Sequence, residues 1–174
     1  FTNISYNNTD SYNTTNNITI NINGFGDTCA DFLSDRDYRQ CINKIINSVP
    51  HMIKKLHFDP NHPENHNIYI SNIRNKMAMC YDGDKWNMCK RDELIDDLIR
   101  DNEIRLNDWL ENGRIEHPKE MEKFEKYLEL KEEDGVLDGI KDEIKMILYN
   151  NRDTVKTKKR ILNKLEIAVT ALNK

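Results

Sequence analysis

The sequence predicts an α+β fold: a small antiparallel β-meander with flanking helices, followed by a C-terminal helical hairpin or bundle. Two observations favour this class. Residues 67–73, 76–81 and 85–88 form three extended runs, and the Asp-Gly pair at 82–83 is a strong short-range signal for a hairpin turn between the last two. From position 91 onward, apolar residues recur at helical spacing to the end of the chain.

The N-terminal segment contains a predicted linker and a predicted strand. Residues 1–17 are polar and rich in Asn and Thr, and we expect a flexible linker from something upstream. Isoleucine then alternates with polar residues, which is the period of a half-buried strand. We therefore predict a strand over 18–26 that pairs with a second copy of the chain through Ile18, Ile20 and Ile22. Self-association is the expected consequence.

Two helices are predicted before the meander. Ser34 is a suitable N-cap for a helix over 35–46, and Pro50 fits the first turn of a helix over 51–57. Two prolines and several Asn and Asp side chains predict a loop over 59–65.

Four helices are predicted after the meander. The first carries an apolar stripe that ends at Asn112-Gly113, an ordinary helix stop. The other three have narrow apolar stripes and charged opposite faces. They predict a C-terminal helical subdomain over 113–174, packed against an α+β domain with a β-hairpin over 18–112.

The composition excludes some classes of protein. Of 174 residues, 37% are hydrophobic and 32% charged, which is typical of a soluble domain with a modest core. No window approaches the ~18 consecutive apolar residues of a spanning helix, so we expect no membrane association of that kind. The four cysteines are isolated from one another, and we expect reduced thiols and an intracellular location. A turn centred on Gly83 sets Cys80 against a residue near 85 or 87, so we expect the thiols of Cys80 and Cys89 not to face each other.

His57, His62 and His66 cluster around the Pro-rich loop, as in some metal sites and metal-dependent nucleases, where a histidine activates water. The spacing does not match the paired ligands of a structural zinc site, nor the order of strand and helix in a ββα-metal nuclease. In the plainer interpretation, the Asp and Asn side chains of the loop bond to nearby backbone and His66 packs at the start of a strand. We assign no catalytic residue, metal ligand or cofactor.

We place the working surface of the domain at 57–92. Pro60 and Pro63 stiffen the loop, and a stiff loop beside a hairpin is a pre-organised binding edge. The predicted partner-binding residues come from the loop, the turn and the start of the next helix: His62, Glu64, Asn65, His66, Asp82, Trp86, Arg91 and Asp92. The alternative is that the loop only caps the hairpin and that Arg91 pairs with a nearby carboxylate.

Three motifs carry a resemblance to a known domain: HFDPNHPENHNIYISN at 57–72, YDGDKW at 81–86 and RDELIDDL at 91–98. Together they resemble an uncharacterised domain of proteins from large nucleocytoplasmic DNA viruses. In those proteins the domain usually follows a finger-like zinc module and a coiled coil, joined by an Asn-rich segment similar to NNITININGFG at 16–26. The resemblance implies a viral protein in the host cytoplasm or nucleus, or in the virion, and assigns no residue a role.

Three hypotheses for function remain. We favour a non-enzymatic assembly or partner-binding module that contacts an unknown viral or host protein. The net charge of the chain is negative, and its titratable residues are scattered along the sequence. The second is a metal-dependent nuclease or another enzyme that uses the region of His57, His62 and His66. The third is nucleic-acid binding through the basic C-terminal helix, which lacks the interleaved aromatic residues of a single-strand binder. The basic residues of that helix are Lys156, Lys158, Lys159, Arg160 and Lys164.

Overall fold

The structure is a computed structural model that describes residues 21–113 and 117–156. The α-helices within them are α1 (Asp35–Ile42), α2 (Ser48–Phe58), α3 (Arg91–Asn112), α4 (Pro118–Lys131) and α5 (Val136–Asn150). The strands are β1 (Ile68–Tyr69), β2 (Met77–Tyr81) and β3 (Trp86–Lys90). Short 3-10 helices span Phe25–Asp27, Ile45–Asn47 and Pro63–Asn65. The predicted linker over 1–17 and all but the first residues of the last predicted helix lie outside the described residues.

The predicted β-meander is confirmed. The three strands form one antiparallel sheet in the order β1-β2-β3. Strand β1 is shorter than predicted because the chain turns toward α5 after Tyr69, where the Ile70 N–H donates to the carbonyl of Leu148 at 3.3 Å. A small antiparallel sheet flanked by helices, with further helices after it, makes the protein an α+β domain as predicted.

The two hairpin cysteines correct one detail of the prediction. Cys80 lies opposite Asn87, as the position of the turn predicted, and Cys89 lies opposite Ala78. This register places both thiols on the same face of the sheet as diagonal neighbours. A hydrogen bond between them raises the pKa of Cys80 and lowers the pKa of Cys89, so the expectation that they do not meet is wrong. Neither forms a disulfide, and the thiols of Cys29 and Cys41 are also free.

One hydrophobic core joins the sheet to all five helices. Helix α2 lies at its centre and packs against α1, α3 and α5. The apolar stripes of α4 and α5 bury Tyr127 and Ile144 in the same core as Ile53 of α2 and Ile68 of β1. Two of the three helices assigned by sequence to a C-terminal subdomain, α4 and α5, therefore share a core with the α+β part. Within the described residues, no helix has the length and apolar character needed to cross a membrane.

The first helix begins as predicted and ends early. Ser34 and Asp37 form a capping box, in which the Ser34 N–H donates to the Asp37 carboxylate at 2.9 Å and the Asp37 N–H donates to Ser34 Oγ at 3.4 Å. Helix α1 ends at Ile42 rather than at position 46. Ile45 has a φ of 48°, a left-handed conformation that a β-branched residue rarely adopts and that an α-helix cannot contain.

The predicted N-terminal strand is wrong over residues 21–26. Residues 21–24 form no strand, and a 3-10 helix begins at Phe25. Instead, the Asn23 N–H donates to the carbonyl of Glu64 at 2.7 Å, so this segment lies against a loop of its own chain. Ile22 is half-buried, whereas Ile18 and Ile20 lie outside the described residues.

The docking of this segment against the β2–β3 turn depends on Gly24. A Cβ at position 24 would lie 2.9 Å from the carbonyl oxygen of Asp82 and 3.1 Å from the backbone nitrogen of Gly83. A backbone contact that close leaves no room for any side chain. Gly26, only two residues later, has no atom within 4 Å of its hypothetical Cβ.

We predict that Gly24→Ala lowers the free energy of unfolding by about 1–3 kcal/mol, because an added methyl group overpacks a backbone contact. Gly26→Ala is the matched control and should change it by less than about 0.5 kcal/mol. Urea denaturation of both variants measures the difference. Equal stability of the two variants would show that the 24–28 segment does not dock on the turn.

Candidate functional site

The segment 23–29 is held in place by the buried carboxamide of Asn65. This side chain has no exposed surface. Its Oδ1 accepts from the Cys29 N–H at 3.1 Å, and its Nδ2 donates to the Cys29 carbonyl at 2.6 Å. Oδ1 also accepts from the Nδ2 of Asn23 at 3.0 Å. The side chain therefore pairs with the peptide groups of residue 29 as a neighbouring strand would.

A second buried carboxamide, that of Asn67, holds the preceding part of the segment. Its Nδ2 donates to Thr28 Oγ1 at 2.9 Å and to the carbonyls of Asn23 and Gly24 at 3.2 and 3.3 Å. Because this orients the amide, Oδ1 is the atom that faces His57 Nδ1 at 2.9 Å, and Nδ1 must carry the proton. Burial lowers the pKa of His57 to about 4, so its imidazole is neutral.

The loop between α2 and β1 is fixed from within. His66 has no exposed surface, and its Nε2–H donates to the carbonyl of Asp59 at 2.9 Å. The Asp59 carboxylate accepts from the Asn61 N–H at 2.9 Å, and Pro63 opens the 3-10 helix. The side chains of His62 and Glu64 extend from this loop. Its backbone is hydrogen-bonded within the loop, where the His62 N–H donates to the Asp59 carbonyl at 3.0 Å, and to the N-terminal segment, where the Glu64 carbonyl accepts from the Asn23 N–H at 2.7 Å.

The segment and the loop together form a surface cavity, which we call the acidic pocket. Its volume is about 370 Å³. It is lined by Cys29, Asp31, Phe32, His62 and Glu64.

An aromatic stack forms one wall of the acidic pocket. The rings of Phe32 and His62 lie 3.6 Å apart between centroids, with 13° between their planes. His62 Nδ1–H donates to Glu64 Oε1 at 2.9 Å, which fixes the orientation of the imidazole. Both side chains of that pair are roughly three-quarters buried, with exposed fractions of 24% and 22%.

The Glu64 carboxylate has one oxygen in use and one oxygen without a partner. Oε2 is buried and, within the described part of the chain, accepts no hydrogen bond from another residue. Burial alone would raise the pKa of Glu64, but hydrogen bonds from its own backbone N–H and from His62 outweigh this and hold the pKa below the usual value. The carboxylate is therefore charged at neutral pH. The exposed Asp31 carboxylate lines the same pocket, so two acidic side chains face it.

The predicted partner-binding residues divide into three groups in the structure. His62 and Glu64 line the acidic pocket. Asn65 and His66 are fully buried and bonded within the fold, so the prediction that they present polar groups to a partner is wrong. Their side chains satisfy the backbone of the segment 23–29 and of Asp59, which is why the chain encloses them.

The remaining predicted residues lie around the hairpin and outside the acidic pocket. The Asp82 carboxylate caps the turn, accepting from the backbone of Asp84 and Lys85 at 2.8 Å. Trp86 packs edge-on against Tyr69, with 5.3 Å between ring centroids. Arg91 and Asp92 lie at the start of α3, where they pair at 2.9 Å.

Sequence reasoning missed Cys29, Asp31 and Phe32. They follow the 3-10 helix in a segment without helical or strand periodicity, and no motif marks them. They join the loop only because Asn65 binds the backbone of residue 29, across a sequence separation of 36 residues.

The three histidines around the loop have different environments. His57 and His66 are buried and bonded to Asn67 and Asp59, whereas His62 reaches the acidic pocket. Within the described residues, no group of three or more His, Cys, Asp or Glu side chains is arranged to hold a metal ion. Of the basic C-terminal run, only Lys156 is described, and its Nζ lies 5.7 Å from the centroid of the Tyr69 ring.

The fold and the pocket define a class of protein: a small α+β domain with an acidic, aromatic-walled surface pocket. Comparisons with protein-family models, with curated proteins and with solved structures found no match to this chain.

We predict that Asn65→Ala lowers the free energy of unfolding by about 2–4 kcal/mol, because it leaves the peptide groups of Cys29 without partners. His62→Ala removes only a partly exposed ring and should cost less than about 1 kcal/mol. Chemical denaturation of both variants makes the comparison. Similar losses for the two would contradict the structural role assigned to Asn65.

The burial of His57 predicts a dependence of stability on pH. Because its pKa is lowered from 6.5 to about 4 on folding, the unfolded chain binds the proton more readily. Its contribution is therefore complete above pH 6.5 and is lost as the pH falls toward 4, by about 2 kcal/mol between pH 7 and pH 5. Urea midpoints at the two pH values should differ in the native protein and converge in His57→Gln. If the urea midpoints of the variant still differ between the two pH values as they do in the native protein, another group is responsible for the pH dependence.

Proposed function

We propose that this protein is a non-enzymatic partner-binding module whose acidic pocket receives a basic side chain, Arg or Lys, of a partner protein. The observation that carries the proposal is the Glu64 carboxylate, which is charged and has a buried oxygen that accepts no hydrogen bond from any other described residue. A buried acceptor of this kind is costly unless a donor is supplied, and a charged donor gives the strongest bond.

The rest of the pocket supports a cationic guest. Asp31 adds a second carboxylate, and the Phe32 ring offers a π-face at which a guanidinium or ammonium group gains further attraction. A volume of about 370 Å³ accommodates one long side chain rather than a folded element. The thiol of Cys29 and the faces of the stacked rings suit the aliphatic part of such a side chain.

The fixed backbone of the site also supports binding. The N-terminal segment and the loop that form the pocket are hydrogen-bonded to each other through the Asn65 side chain and the Glu64 carbonyl. Few residues of this chain therefore lose conformational freedom when a partner side chain binds. The resemblance to a domain of large nucleocytoplasmic DNA virus proteins is part of the same proposal, in which the partner is a viral or host protein. A second copy of the chain is the other source of a basic side chain.

We predict that short peptides with a central Arg or Lys bind the acidic pocket. In NMR titrations of the full chain, Ac-Gly-Arg-Gly-NH2 or Ac-Gly-Lys-Gly-NH2 should shift the amide resonances of Cys29, Phe32 and His62. Analogues with citrulline or Gln in place of the basic residue should not, because they lack the charge that Glu64 complements. In Glu64→Gln the affinity should fall about 10- to 100-fold, the value of one charge-assisted hydrogen bond.

The matched control is Glu93→Gln, because Glu93 is an exposed carboxylate, paired with Lys90 at 2.6 Å, and lies outside the pocket. It should bind the basic peptides as the native protein does. Equal shifts with citrulline and Arg, or unchanged affinity in Glu64→Gln, would contradict the proposal. Light scattering of the unliganded chain distinguishes a second copy from another protein as the partner.

A further inference from the structure

A second cavity lies between the segment 25–28, α2 and α3. Its volume is about 120 Å³, and it shares no lining residue with the acidic pocket. Its polar lining consists of Thr28, His57, Asp101, Asn102 and Arg105. We call it the arginine cavity.

Two polar atoms of the arginine cavity have no hydrogen-bond partner among the residues that the structure describes. The Asn102 side chain is only 2% exposed, and its Nδ2 donates to the Leu98 carbonyl at 2.8 Å. This bond fixes the amide orientation and leaves Oδ1 as a buried acceptor without a donor. The Nε–H of Arg105 is a buried donor without an acceptor. A ligand that satisfies both must carry an acceptor and a donor.

The charges around the cavity favour an anion. Among the described residues, no carboxylate lies within ion-pairing distance of Arg105. Its neighbours are the phenol of Tyr38 and the imidazole of His57. Asp101 lines the cavity as well, but its carboxylate is paired with Arg100 at 3.1 Å. A half-buried guanidinium without a counter-charge attracts an oxyanion in bidentate geometry.

The remaining lining groups select among oxyanions. His57 is neutral and uses its Nδ1–H on Asn67, so its Nε2 is an acceptor. Thr28 Oγ1 donates to the carbonyl of Phe25 at 2.7 Å. Apart from Arg105, the cavity thus offers mainly acceptors. An oxyanion that keeps a proton at neutral pH can donate to them, whereas one that keeps no proton cannot.

We propose that the arginine cavity binds a protonated phosphate group, with its charged oxygens on Arg105 and its P–OH donating to Asn102 Oδ1. Phosphate retains a proton at neutral pH, and sulfate of the same shape and geometry does not. The site therefore distinguishes the two ions by hydrogen bonding rather than by size. This inference is independent of the acidic pocket and of its partner.

Titration of the full chain with inorganic phosphate, followed by NMR at constant ionic strength, tests the proposal. Phosphate should shift the amide resonances of Gly26, Thr28 and Asn102 with saturation, and sulfate should bind at least about tenfold more weakly. O-phosphoserine is a third arm, compared with inorganic phosphate at about pH 5.5, because a phosphate monoester has a second pKa of about 6 and keeps the required proton only below it. Its binding would identify the phosphate group of a larger molecule as the ligand, and its failure beside binding of phosphate would identify the free ion.

Asn102→Leu replaces the partnerless acceptor by an apolar group of similar shape, so the variant should fold. It should lose at least about tenfold in affinity for phosphate and bring phosphate and sulfate to similar affinities. Arg105→Gln should abolish binding of both ions, while the exposed control Arg100→Gln should retain the phosphate preference. Two results would overturn the proposal: no saturable shift with phosphate up to about 20 mM, or native affinity for sulfate equal to that for phosphate. Thermal melting of each variant confirms that it is folded.

Discussion

Two buried carboxamides, those of Asn65 and Asn67, hold the N-terminal segment of this protein in place. The segment has neither helix nor strand over residues 21–24, so its peptide groups need partners from elsewhere. The two side chains supply them, donating and accepting hydrogen bonds where a sheet would otherwise do so. Burial of an amide is costly when its polar atoms lack partners, and both the oxygen and the nitrogen of the Asn65 carboxamide have them.

This arrangement separates two cavities of opposite character. On the surface, the segment and the α2–β1 loop enclose an acidic pocket walled by Phe32 and His62. Against α2 and α3, the same segment closes a smaller cavity in which Arg105 has no described counter-charge. His57 links the two regions, because its Nδ1–H bonds to Asn67 while its ring lines the arginine cavity. Substitution of either carboxamide should therefore alter both the acidic pocket and the arginine cavity.

The fold could be predicted from local patterns where those patterns are strong. The Asp-Gly turn, the helical stripes and the Ser34 cap all led to the observed elements, since each depends on residues close in sequence. Where long-range contacts determine the local structure or the burial of a side chain, the sequence alone did not predict it. The alternating isoleucines resemble a strand, yet Asn23 bonds to Glu64, and Asn65 and His66 look like surface loop residues although the chain encloses them. His62 and Glu64 were identified from the loop, whereas Cys29, Asp31 and Phe32 required the three-dimensional structure.

The hydrogen bonds made by Asn65 and Asn67 to the segment join residues separated by 36 to 44 positions. Closing loops of this length costs more chain entropy than forming the helices, whose bonds are local. The segment should thus dock late in folding, onto helices and a hairpin that are already formed. In the reverse process the segment should be released first, and such a release would open both cavities without unfolding the core. Such an opening would give a ligand a route into the arginine cavity. The rate of ligand entry would then be set by how often the segment is released and not by the shape of the cavity.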